Sequence, residues 1–335
     1  MDEPRTQGTL SPGATRVWDA DEQGWHPLWL TADEVPGVVA DHFGVTVGPA
    51  SLLTEGLLNQ TWRLHGPDHD RVLRVSRPER TVEQVAWEHR FAAAVGAAVP
   101  AVVRAETCRV PVVRGHALTL YPFVAGRSGR LVAPWIRTRQ VAAALAALHR
   151  AALDADLPPR PGTTAVDERP RWFGWPATRE RLTAEPAPGT AQVVEEIDHE
   201  LARLDDWLDR QQAAGRLDRR AAVHGDLNPR NLLFAGDDLV GIVDLDDCRI
   251  EPLAWEVAQT AYGTAGVPAE QVWRWYRDAG GPLPEADVER LAEFARIGAL
   301  SELQWLRPDV EPVDRTTARL AGILDQLGGR VERDG

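Results

Sequence analysis

Two carboxylates and one amide stand at short intervals late in the chain. Asp226 follows His224-Gly225, Asn231 lies five residues further on, and Asp244 sits in Ile242-Val243-Asp244-Leu245-Asp246. A positioned carboxylate can accept the proton of an attacking hydroxyl. A second carboxylate and an amide oxygen are hard ligands of the kind that hold magnesium, with water or phosphate oxygens completing the shell. Residues of these types in this order supply what in-line phosphoryl transfer to a hydroxyl requires.

The flanking patterns suit the presentation of such groups. An apolar strand around Ala221–Val223 runs into the loop that carries Asp226. Gly236-Asp237-Asp238 then turns a hairpin whose return strand, Leu239–Val243, brings Asp244 back to the same end. Upstream, residues 46–124 read mostly as strand: an apolar run over Val45–Leu53, then Thr61–Leu64 and Arg71–Val75 joined through His65–Asp70, then stretches around Val102 and over Ala117–Val124. One helix interrupts them over Thr81–Val95, with Val85, Phe91, Ala92 and Val95 on its apolar stripe. Thr31 is placed to cap a short helix through Val38, Val39 and His42. The second half is helical in period over Ile136–Arg150, Ala191–Gln211, Pro268–Arg277, Glu285–Trp305 and Arg315–Leu327, with Leu157–Gly174 reading as a loop. The layout is α+β: an irregular lead-in over 1–30, a small antiparallel-sheet lobe with one helix over 31–124, and a larger, mostly helical lobe over 125–335 that carries the Asp226 loop and a β-hairpin.

Composition narrows the partners. The net charge of −13 argues against a nucleic acid or an anionic membrane surface. All 37 basic residues are arginine and none is lysine, so any phosphate contact must fall to a guanidinium. Cys108 and Cys248 are too far apart in sequence to suggest a zinc site or a disulfide framework. No stretch of 18 apolar residues occurs and the first eleven residues lack an apolar core, which points to the cytoplasm. The chain is expected as a monomer or homodimer.

His224-Gly225-Asp226 with Asn231, and Ile242-x-Asp244-x-Asp246, resemble the catalytic and metal-binding patterns of the aminoglycoside phosphotransferase and choline kinase family, the small-molecule relatives of protein kinases. The resemblance covers residues 46–260 by motif. It implies a bilobal protein-kinase-like fold, with Asp226 as catalytic base, Asn231 and Asp244 as ligands of Mg2+, and ATP as donor, GTP remaining open. It further places Arg74 on the nucleotide phosphates with Glu88 as its partner, and Gly56 and Asn59 in the nucleotide loop. Tyr121 and Phe123 fall at the adenine hinge, where Pro122 removes one donor and Phe123 N–H is the expected contact. By the same resemblance His149 bridges to the catalytic loop. Glu256 stands where the family usually has Asp, a departure expected to act through packing under that loop. Arg71, Arg77 and Arg80 read as ordinary surface charges.

The resemblance implies a small hydroxylated acceptor (an aminoglycoside, another antibiotic, an amino alcohol or a sugar) bound between the catalytic loop and the late helices. Asp246, Trp255, Glu302 and Trp305, with Trp172 and Trp175, are the residues placed to meet it, and their acidity and aromatic faces suit a cation such as an aminoglycoside or amino alcohol, or a sugar. A protein kinase is disfavoured because neither H-R-D nor A-P-E occurs. A nucleotide-binding regulatory module without turnover is the alternative from another class, against which the intact Asp226, Asn231 and Asp244 argue.

Overall fold

The computed structural model describes residues 15–19, 24–53, 59–166, 174–306 and 311–331. The chain divides into two compact units. The first takes the chain up to Arg127 together with Leu233–Ala235 and Val240–Asp246; the second takes Ser128–Leu232, Gly236–Leu239 and Asp247 onward. Asp244 and Asp246 therefore belong to the first unit, although they lie far beyond residue 125.

The first unit opens with β1 (Arg16–Asp19) paired antiparallel to β2 (Gly24–Pro27), followed by α1 (Val35–Phe43). Then come β3 (Ala50–Leu53), β4 (Gln60–Leu64), β5 (Arg71–Val75), α2 (Val82–Val95), β6 (Val112–Val113) and β7 (His116–Pro122). A two-residue strand, β8 (Arg127–Ser128), stands at the boundary. The main sheet has the order β3-β4-β5-β7-β6. Side chains alternate across a strand, and this alternation gives the sheet two different faces. Leu52, Trp62, Leu64, Leu73, Val75, Leu118 and Leu120 share one face and bury Val35 and Val39 of α1 in a continuous core. On the intervening positions, Arg74 lies opposite Thr119 and Val72 opposite Tyr121, so Arg74 and Thr119 share the other face.

Among the described residues the unit carries α1 and α2, at the two places where the sequence reads as helix. α1 starts differently from the sequence reading: Glu34 is the N-cap, and Thr31 instead donates its hydroxyl to the Glu34 carboxylate at 3.0 Å. α2 begins as read, with Thr81 and Gln84 closing a reciprocal capping box. The long apolar run from Val45 contributes only the short strand β3.

The second unit holds α3 (Pro134–Ala155), α4 (Trp175–Ala184), α5 (Thr190–Ala213), β9 (Arg220–Val223), β10 (Leu232–Ala235) and β11 (Asp238–Ile242), the last two only in part. It continues with β12 (Arg249–Pro252), α6 (Leu253–Tyr262), α7 (Ala269–Asp278), α8 (Val288–Leu300) and α9 (Val313–Val331). β12 pairs with β9, and α3 packs on β9, α6 and α7. α4 and α6 were not legible as helices. α6 is apolar nearly all round, with eight of its residues buried, so it has no stripe to read. The predicted helix over Glu285–Trp305 is α8 flanked by 3-10 turns at Glu285–Asp287 and Ser301–Trp305.

Candidate active site

In the second unit, Asp226 follows β9 through a loop that only glycine can turn. Gly225 has φ +84°, and a Cβ there would collide with the Asp247 carbonyl oxygen. The Asp226 N–H donates to His224 Nδ1 at 3.2 Å, so the fully buried His224 braces the loop. Both carboxylate oxygens of Asp226 accept from the Asn228 amide at 2.8 Å, and one also accepts from Asn231 at 2.8 Å. The Asn228 orientation is fixed, because its own oxygen accepts the Arg230 N–H at 2.8 Å and caps the turn Pro229–Asn231. Asn231 spends its amide nitrogen on Asp226, which directs its oxygen elsewhere as the group suited to a cation.

A buried chain of polar groups supports this loop. Gly225 N–H donates to Glu256 Oε1 at 2.7 Å, and the other Glu256 oxygen lies 3.1 Å from His149 Nε2. A carboxylate only accepts, so Nε2 carries the proton and, in the neutral ring, Nδ1 accepts from the Tyr276 hydroxyl at 3.0 Å. Burial pushes the Tyr276 pKa up, which keeps that hydroxyl a donor. Glu256, standing where the resembling family usually has Asp, thus reaches the backbone of the Asp226 loop from α6, and His149 joins it to α7.

Glu302 also faces Asp226 electrostatically. Partial desolvation of its carboxyl raises its pKa; Arg319 opposes this and the Asp226 charge adds to it. The other acceptor candidates fare differently. Trp255 is buried in α6 with the Arg249 guanidinium 4.9 Å above its ring. Trp175 is buried at the start of α4 and donates to Asp198 at 2.8 Å. Both are taken up by packing and present no face to an acceptor. Trp172 lies outside the described residues, as does the side chain of Trp305.

In the first unit, Arg74 and Glu88 come together as read, 3.6 Å apart between Nη1 and Oε2. Burial alone would lower the Arg74 pKa; Glu88, then Tyr121 and Asp244, raise it overall, so the guanidinium stays charged. Arg74 Nη2 approaches Asp244 at 3.9 Å and makes an ion pair with Asp246. Asp244 is half-exposed and holds φ +65°, a left-handed conformation uncommon for a residue with a Cβ. Beside this cluster His89 is neutral: burial, with the Arg74 charge, pushes its pKa down to about 4.

The readings of five residues in this unit change. Asp246 is buried and accepts from Asn59 at 2.9 Å as well as pairing with Arg74 and Arg80, so its charge is spent here and not on an acceptor. Arg80 is 7% exposed and Arg71 8%, the latter bound to Glu106 at 2.8 Å; neither is a surface charge. The Phe123 N–H donates to the Asp70 carbonyl at 2.9 Å, which removes it as an adenine donor. The Tyr121 hydroxyl turns back to Arg74 and Thr119, and burial pushes its pKa up. Gly56 lies outside the described residues. Asn228, Arg80 and Tyr121 in its contact with Arg74 were the partners missed. Only the T-x-x-Q capping signal just after Arg80 hinted that it sits at a helix entrance.

Among the described residues no three His, Cys, Asp or Glu side chains come together as a metal cage. Magnesium does not need one, since it is held by one or two protein oxygens plus phosphate and water. The oriented Asn231 oxygen and the half-exposed Asp244 carboxylate are of the right chemical kind.

Residues 50–294 match the model of the phosphotransferase enzyme family, and the chain belongs to that family. It is similar to a homoserine kinase of Brucella anthropi, 33% identical over 164 residues, 45% of each chain. It thus spans less than half the length of that relative. A homoserine kinase of Sinorhizobium fredii is 25% identical over 239 residues, 68% of this chain and 67% of the relative. A thermostable mutant of aminoglycoside phosphotransferase APH(4)-Ia, solved as a ternary complex with AMP-PNP and hygromycin B, superposes with a TM-score of 0.57. That match is 16% identical and covers 90% of this chain and 99% of the other. At this identity the likeness speaks for the fold, which is α+β and protein-kinase-like.

Proposed function

We propose that the chain is an ATP-dependent kinase that phosphorylates a hydroxyl of a small, amine-bearing molecule with the help of Mg2+. The observation that carries this reading is the Asp226 carboxylate held by two amide donors, a geometry that aims a base at a hydroxyl proton. Asp226 receives the proton of the acceptor hydroxyl as its oxygen attacks the terminal phosphorus and the bond to the leaving nucleoside diphosphate breaks. Arg74 binds nucleotide phosphate oxygens, and Glu88 holds it there. Asn231 and Asp244 would each offer an oxygen to Mg2+, which would offset the charge on the phosphates. Glu302 contributes a negative charge for the acceptor's ammonium group. No described helix is long and apolar enough to cross a membrane, and a cytoplasmic site gives access to ATP.

Two relatives are homoserine kinases, so homoserine, a hydroxylated amino acid with an ammonium group, is the first acceptor to try. The test is ATP turnover over a panel of homoserine, amino alcohols, aminoglycosides, macrolides and neutral sugars, read by mass spectrometry for a phosphate adduct. A phosphorylated amine-bearing product supports the reading. Binding of Mg-ATP without transfer to any member would favour the regulatory alternative.

A further inference from the structure

The buried charges around Arg74 assign a role to a residue that the kinase pattern does not mention. Two cations, Arg74 and Arg80, and two anions, Glu88 and Asp246, are each no more than 8% exposed. Arg80 Nη2 pairs with Glu88 and lies 3.3 Å from Asp246 Oδ1, while its Nη1 donates to the Asp246 carbonyl at 2.8 Å. Arg74 pairs with the same Asp246 and lies beside the same Glu88. The two guanidiniums therefore share both carboxylates.

Sharing matters if Arg74 is to touch a phosphate. Turning Arg74 away would leave buried carboxylates short of positive charge, which the protein interior penalises heavily. With Arg80 reaching both, and Asn59 donating to Asp246 Oδ2 at 2.9 Å, the carboxylates keep their compensation. Only a forked guanidinium spans the two anions; a lysine ammonium is a single point.

We propose that Arg80 is a positioning residue for nucleotide binding: it is the standing counter-ion of Glu88 and Asp246, and it releases Arg74 to the nucleotide phosphates. The inference rests on the nucleotide reading of Arg74. Without Arg80, Asp246 is left to Arg74 and holds it back from the nucleotide.

The experiment measures Mg-ATP affinity by calorimetry and the Michaelis constant for ATP in Arg80→Gln, Asp246→Asn and the double variant, with thermal unfolding as control. Arg80→Gln should weaken ATP affinity by about tenfold or more with kcat changed less than about threefold, the pattern of lost uniform binding. Adding Asp246→Asn removes the competing anion and should restore much of that affinity. A purely structural role predicts the opposite, because the second substitution would add to the damage. If Arg80→Gln does not fold, Arg80→Lys with and without Asp246→Asn gives the same comparison, with the smaller defect again relieved by Asp246→Asn. Affinity that falls further in the double variant, or Arg80 variants that bind ATP as wild type does, would overturn the proposal. Wild-type protein that binds no Mg-ATP would instead refute the nucleotide reading, and this inference with it.

Discussion

Asn228 donates to both carboxylate oxygens of Asp226, at 2.8 Å each, and its own oxygen is tied to the Arg230 N–H. The carboxylate proposed as base is therefore oriented by a neighbour that is itself locked in one rotamer, the preorganisation that makes a proton acceptor effective. Asp226→Asn should lower turnover by roughly 10²–10⁴ while nucleotide binding persists. Asn228→Ala should cost kcat about tenfold through misorientation alone. Retention of more than about a tenth of wild-type turnover in Asp226→Asn would remove Asp226 from the role of base.

Asp244 and Asn231 should separate by degree. Asp244→Ala removes a charged oxygen ligand and should abolish magnesium-dependent nucleotide binding. Asn231→Ala removes a neutral one and should raise the magnesium requirement without abolishing binding. Titration of Mg2+ at fixed ATP decides between these outcomes, and unchanged magnesium dependence in Asp244→Ala would exclude it as a ligand.

Arg74→Lys is not a conservative change here, because the guanidinium contacts Glu88, Asp244 and Asp246 together. The Michaelis constant for ATP should rise by about an order of magnitude, with a smaller effect on maximal rate. Steady-state kinetics at saturating acceptor measures both; an unaltered constant for ATP counts against the phosphate contact.

Glu302 sets a pH dependence. The pKa of its carboxyl is raised, first by partial desolvation and further by Asp226, with Arg319 opposing. Ionised Glu302 attracts an ammonium group and the protonated form does not, so the acceptor's Michaelis constant should rise as pH falls through that raised value. Glu302→Gln should fix the constant at its high, acid-side level across the pH range. A pH profile identical in wild type and variant would dissociate Glu302 from the acceptor.

Acid stability should depend on Glu200. Burial alone would raise its pKa, but hydrogen bonds from Arg203 and Arg296 hold it at about 2. The folded state thus prefers the ionised form; its contribution is complete above the unfolded-state value near 4.5 and is lost as pH falls toward 2. From 4.5 to about 2 the shift corresponds to at most about 3 kcal/mol, reduced by solvent at the partly exposed Arg203. Chemical denaturation at pH 7 and pH 3 should show Glu200→Gln destabilised at the higher pH, with the gap to wild type narrowed by more than half, though not closed, at the lower.

The pairing of Arg74 with Glu88 was expected from the family resemblance; the amino-acid order alone located Asp226, Asn231 and Asp244 in short motifs and outlined most of the elements around them. Those features are local. A loop residue at fixed spacing, a capping box and a strand alternation are written into a few consecutive positions. The tertiary structure decided what depends on burial and on residues distant in sequence. Asp246, 166 residues beyond Arg80, is claimed by Arg80, Arg74 and Asn59. Trp255 disappears into a helix that is buried nearly all round, and Phe123 N–H finds Asp70 across a chain reversal. A charged or aromatic side chain has the same letter whether it faces solvent or a buried counter-ion. Only the packing around it sets the cost of leaving it unpaired, and so decides which carboxylate remains to meet a substrate.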